Sequence, residues 1–99
     1  MVKSIEHHSD IPKVGKVVLD FHAKWCGPCK TIAPKFEALA QLNPSWTFLK
    51  VDVDLAAELG EEYNVEALPT FVFLVDGVER MRIAGANLEQ IEEALDSLN

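Results

Sequence analysis

Hydrophobic and polar positions change their period several times along the chain, and each change marks an element. The run Val17-Val18-Leu19-Asp20-Phe21 is continuous, β-branched and short, the pattern of a strand buried on both faces. His22 to Trp25 reads as its exit loop. From Cys26 the apolar residues recur at helical spacing, at Ile32, Phe36, Leu39 and Ala40, until Asn43-Pro44-Ser45 ends the helix. Pro34 lies inside this helix and removes one backbone hydrogen bond, which predicts a kink or local break. Trp46 to Val53 follows as another strand, and Asp54 is placed to cap a short helix carrying Leu55 and Leu59. Ahead of these, Val2 to Glu6 is a candidate edge strand. Ser9-Asp10-Ile11-Pro12 reads as a capped turn that leaves room for about one helical turn before Gly15.

The last third has a different order. Thr70 to Val75 meets Val78 to Ala84 across Asp76-Gly77, a two-residue hairpin signal. Strands that first alternate with helices and then close in a hairpin predict an α/β chain with a mixed sheet. Asn87 caps a final helix, with Gln90 three residues on in a box-like arrangement. Leu88, Ile91, Leu95 and Leu98 form its inward face, and Glu89, Glu92, Glu93 and Asp96 its solvated one.

Length and charge narrow the function. With 99 residues, 48% of them hydrophobic, the chain fits one domain over 1–99 with a single core. A net charge of −7 argues against nucleic acid or an anionic membrane as the main partner. No apolar run is long enough to cross a bilayer, and the first ten residues lack the apolar core of a signal peptide. Two cysteines do not make a secreted disulfide framework, so a reducing, cytoplasmic setting is the expectation.

Both cysteines stand in Trp25-Cys26-Gly27-Pro28-Cys29-Lys30, where the strand pattern gives way to the helical one. Residues at i and i+3 on a helix are neighbours, within reach of reversible disulfide closure. Cys26 falls at the helix start, where unpaired N–H groups and the macrodipole favour a thiolate. Cys29, one turn in, is expected to be more buried. A division of labour follows: Cys26 attacks a substrate disulfide, and Cys29 resolves the mixed disulfide. Gly27 permits close approach of a partner backbone, and Pro28 occupies an early helical position whose N–H has no partner anyway. Trp25 offers a flat apolar contact surface beside the pair, unless it is an ordinary core residue. Asp20 is costly in its apolar run unless paired, wet or protonated; burial raises its pKa and makes it a candidate proton acceptor for a nearby thiol. Lys50, inside Phe48-Leu49-Lys50-Val51-Asp52, is either its partner beneath the site or a snorkelling surface lysine.

Together with Leu-Asp-Phe-His-Ala before it, Trp-Cys-Gly-Pro-Cys-Lys resembles the thioredoxin family. The resemblance extends to Pro34, Lys50-Val51-Asp52-Val53-Asp54, Leu68-Pro69-Thr70 and Gly85-Ala86-Asn87. It implies the thioredoxin fold, a central mixed sheet with helices on both faces, and a protein-disulfide reductase. Such a reductase binds no cofactor of its own and is recharged by thioredoxin reductase at the expense of NADPH. By resemblance, Asp20 and Lys50 match the buried acid and its lysine, and Pro69 the cis-proline facing the cysteines. Ala67-Leu68 would receive the client chain as an added strand, and Gly85 with Ala86 would complete the contact surface around Cys26. Family-typical clients are peroxiredoxins, methionine sulfoxide reductases and ribonucleotide reductase. A monomer is expected, and with no thiol beyond Cys26 and Cys29 any covalent dimer must consume the active pair itself.

The chain departs from the family in three places. The segment Ser9 to Gly15 is too short for the usual first helix. His22 stands where an aromatic or small residue is common, and reads as a surface imidazole. Leu68 replaces the commoner Met or Ile. Two rival readings are a zinc site using Cys26, Cys29 and some of His7, His8 and His22, which lacks a second Cys pair, and a redox-independent binding scaffold on the same fold.

Overall fold

The run that carries Asp20 becomes the central strand of a five-stranded sheet. The computed structural model describes residues 1–98. Strands β1 (Val2–Ile5), β2 (Lys16–His22), β3 (Trp46–Asp52), β4 (Thr70–Val75) and β5 (Val78–Ala84) lie in the order β1-β3-β2-β4-β5. β1, β3 and β2 are parallel, while β4 and β5 run antiparallel to their neighbours. The sheet is mixed, as the change from strand–helix alternation to a hairpin predicts.

Period-two alternation along the strands divides the core between the two faces. Val18, Phe48, Phe71 and Phe73 pack with Ile32, Phe36, Ile91 and Leu95, beneath helices α1 (Gly27–Leu42) and α3 (Leu88–Ser97). Val17, Leu19, Phe21, Leu49 and Val51 point the other way, towards Leu59 of helix α2 (Ala57–Glu62). Phe36 anchors the first face, with its ring centroid 5.0 Å from that of Phe48 and 5.4 Å from that of Phe71. The thioredoxin fold expected from the resemblance, with helices on both faces of the sheet, is the fold observed.

The first helix is reduced to a single 3₁₀ turn, His8–Asp10. It lies ahead of Pro12 rather than around it, because Asp10 closes the turn instead of opening one: its carboxylate accepts the His7 N–H at 3.1 Å. α1 runs unbroken through Pro34. The expected cap of α2 is not formed. Asp52 organises that turn, its side chain accepting the Asp54 N–H at 2.9 Å and its carbonyl accepting those of Leu55 and Ala56. The helix therefore starts at Ala57, leaving Leu55 outside it and exposed. At the hairpin, Asp76 and Gly77 have φ of 49° and 80°, the left-handed values that a tight two-residue turn requires. Asn87 caps α3 through its side-chain oxygen, 3.0 Å from the Gln90 backbone nitrogen.

Candidate active site

Topology brings separate connections to one end of the sheet. α1 begins just beyond the C-terminal end of β2, and antiparallel β4 begins at that same end, with Thr70 opposite Phe21. β5 finishes there too, Ala84 lying opposite Thr70. The cysteines, Leu68-Pro69 and Gly85-Ala86 thus share one rim although they are spread along the chain. The Leu68–Pro69 peptide bond is cis. The Gly85 N–H donates to the Pro69 carbonyl at 2.8 Å, joining two of these segments, and φ of 115° at Gly85 suits the residue without Cβ.

Cys26 occupies the N-cap of α1, with Gly27 and Pro28 as its first helical residues. Its sulfur lies 3.2 Å from the Cys29 backbone nitrogen, whose N–H points to it. Cys26 and Cys29 are joined in a disulfide, with their Cα atoms 5.3 Å apart. Contrary to expectation, the two residues are equally buried, each 5% exposed. Both belong to one small buried cluster with Ala23, against which Val53 and Leu68 pack, so being one turn further in gives Cys29 no extra cover. They differ in what they border.

Cys26 borders an open groove of about 840 Å³. Trp25, Gly27 and Pro28 form one wall, and α2 with residues 64–68 forms the other. Trp25 is 70% exposed, which excludes the core alternative, and its indole N–H donates to Asp54 at 2.9 Å. That bond holds the ring beside the cysteines and uses the carboxylate that the sequence pattern assigned to a helix cap. Within the groove wall the Leu68 backbone N–H and C=O have no intramolecular hydrogen bond among the described residues. Pro69 is buried, while Gly85 and Ala86 stand on the rim outside the groove.

Cys29 borders a second, smaller cavity of about 280 Å³, shared with Asp20, His22 and Lys50. Asp20 is 1% exposed, and its Oδ1 lacks any hydrogen-bond partner. Burial pushes its pKa from 3.8 up to about 7, and the nearby positive charge of Lys50 only partly opposes this. Asp20 and Lys50 are register partners on adjacent strands and face the α1 side. They form no ion pair within 4 Å, so Lys50 acts on the carboxyl through its field, and the direct pairing expected as one possibility is absent.

No group of three or more His, Cys, Asp or Glu side chains is placed to hold a metal among the described residues. His8 lies instead against Glu62, with Nδ1 2.6 Å from its carboxylate. His22 belongs to β2 rather than to a surface loop, because the ladder with β3 continues one step to Asp52. Of the second groove wall, sequence reasoning named Ala67 and Leu68 and missed Val53, Gly60 and Val65.

The comparisons with known proteins agree with this geometry. The thioredoxin family model matches residues 1–97. A rice (Oryza sativa subsp. indica) H-type thioredoxin is 49% identical over 84 residues, 84% of this chain and 69% of that protein. Thioredoxin-1 of Schizosaccharomyces pombe is 40% identical over 99 residues, covering 96% of each. The chain spans 59–69% of the length of four of its curated relatives, the rice protein among them. Reduced Schistosoma mansoni thioredoxin superposes with a TM-score of 0.92 at 35% identity, over 99% of this chain and 98% of that one. Sequence, fold and the Cys26–Cys29 pair agree on thiol–disulfide oxidoreductase chemistry: the chain belongs to the thioredoxin family.

Proposed function

We propose that the chain reduces protein disulfides through a two-step exchange at Cys26 and Cys29. The observation that carries this reading is the opposite outlook of the two sulfur-bearing residues. Cys26 borders the open groove, and Cys29 borders the cavity that holds an unpaired, buried carboxyl.

In the first step the reduced Cys26 thiolate attacks a client sulfur, forms a mixed disulfide and releases the other client sulfur as thiolate. In the second, Asp20 takes the Cys29 proton. The Cys29 sulfur then attacks Cys26, closing the disulfide seen in the structure and expelling the second client thiolate. A carboxyl with a pKa of about 7 is matched to this task, since it is part ionised and part protonated at neutral pH. Lys50 is the positioning charge that keeps the ionised form accessible. The client chain lies in the groove against Trp25, Gly27 and Pro28. It adds as a strand to the open Leu68 backbone beside Pro69, with Gly85 and Ala86 flanking.

No helix among the described residues is long and apolar enough to cross a membrane. We place the protein in the cytoplasm as a monomer, recharged by thioredoxin reductase and NADPH. Its client classes are peroxiredoxins, methionine sulfoxide reductases and ribonucleotide reductase. The Gly27-Pro28 pair carries no group to stabilise the thiolate further, so the disulfide is expected to be harder to reduce than the glutathione pool.

The test is NADPH oxidation driven by insulin disulfides in the presence of a thioredoxin reductase. Steady consumption that requires this chain, together with a Cys26–Cys29 disulfide that a cytosol-like glutathione buffer leaves largely unreduced, is the expected result. No consumption, or one equivalent of zinc retained by the reduced protein, contradicts it.

A further inference from the structure

His22 faces the inside of the site. Alternation along β2 sends Val18, Asp20 and His22 to the α1 side, and alternation along β3 sends Phe48, Lys50 and Asp52 to that side. Register pairs Asp20 with Lys50 and His22 with Asp52, giving two polar rungs stacked under the first turn of α1. Asp20, His22, Lys50 and Cys29 line one cavity, whose remaining walls include Lys24 and Lys30. Exposure grades along it. Asp20 is 1% exposed, His22 and Lys50 are half-buried, and Lys24 and Lys30 are exposed.

A carboxyl that accepts the Cys29 proton must lose it again before the next cycle, and Asp20 has no direct contact with solvent. The step from residue i to i+2 on a strand is roughly 6.5 Å, too long for a direct hydrogen bond and suited to a bridging water. A cavity of about 280 Å³ has room for several waters at about 30 Å³ each. Among the other groups facing it, the lysine ammonium groups have no acceptor to offer. Asp52 shares the His22 rung but does not line the cavity.

We propose that His22 is the proton outlet of this site, a positioning residue that works through Asp20 rather than on the sulfurs. This rests on the two-step reading above. The Cys29 proton passes to the Asp20 carboxylate, then through cavity water to the His22 imidazole, and from there to bulk solvent. Meanwhile the Cys29–Cys26 bond forms and the Cys26–client bond breaks, its electron pair leaving with the client sulfur. Burial, with Lys50 beside it, lowers the imidazole's pKa against the opposing pull of Asp52. His22 thus holds the proton less tightly than Asp20 and hands it on, the transfer being drawn forward by release to bulk solvent. The imidazole is therefore neutral and able to accept a proton at pH 7.

The experiment follows release of the second client thiol in single turnovers of the reduced protein with a small-peptide disulfide, across pH 6–9. His22→Gln and His22→Phe are expected to slow release roughly fivefold or more near pH 7 and to change its pH profile. Added imidazole should restore the rate, and neither substitution should add to the effect of Asp20→Asn. Unchanged release in both variants would sink the proposal, as would a slowing that imidazole does not restore and that persists in the Asp20→Asn background. Formation of the mixed disulfide, read separately in a Cys29→Ser background, should not respond to His22. If that background traps no peptide at all, the two-step reading fails and this inference fails with it.

Discussion

Replacing Asp20 by Asn is expected to stabilise the oxidised protein by up to about 4 kcal/mol above pH 7, and to change little below pH 4. The carboxyl is buried in the sheet face under α1, and its pKa rises from 3.8 to about 7. Between those values the unfolded chain has released the proton while the folded chain holds it. The unfolded state thus binds fewer protons, and stability falls as pH rises through that window. Below the ordinary carboxylate range both states are protonated and the penalty vanishes; above about 7 it is complete. Asn keeps the shape without the charge, and because Oδ1 is already unpartnered, little hydrogen bonding is lost. Urea unfolding at pH 4 and pH 8 reads the effect. A wild-type decline that is absent in the variant is the expected outcome. Equal slopes for both proteins would show that the carboxyl is solvated or paired after all. The same substitution should slow the resolving step near neutral pH, so the stability gained is lost function.

The second large effect separates the two cysteines. Cys26→Ser should abolish turnover, by roughly 10³-fold or more, and form no adduct with client. Cys29→Ser should lose turnover to a similar extent and yet accumulate a mixed disulfide through Cys26, because Cys26 borders the groove while Cys29 borders the inner cavity. Mass spectrometry of the adduct identifies the sulfur. Attachment to Cys29 in a Cys26→Ser protein, with none in the converse variant, would reverse the assignment. If neither substitution alters the protein's cellular role, the scaffold reading gains instead.

Legibility followed the range of the interactions involved. The hairpin could be read because Asp76-Gly77 needs positive φ, a local demand. Asp20 could be read because a carboxylate amid Val, Leu and Phe is anomalous wherever it folds. Much of the far groove wall could not: Gly60 and Val65 carry no local signal, and only the packing of α2 and the segment after it brings them into the groove with Trp25. Asp54 misled for a related reason. A short acid before an apolar run looks like a cap, and nothing nearby reveals an indole 29 positions away in sequence as its donor. The equal burial of the cysteines escaped prediction because cover comes from Val53 and Leu68, not from helical depth. The local pattern puts His22 in the exit loop because the strand's last rung depends on Asp52, its partner across β3.

The most direct test of the two-step reductase is an electron balance in one turnover. Stoichiometric prereduced protein is mixed with a client disulfide and quenched with alkylating reagent at intervals. The account predicts one client disulfide lost for each Cys26–Cys29 disulfide formed, preceded by a transient client adduct on Cys26. Client reduction without closure of that pair, or closure without client reduction, would contradict it.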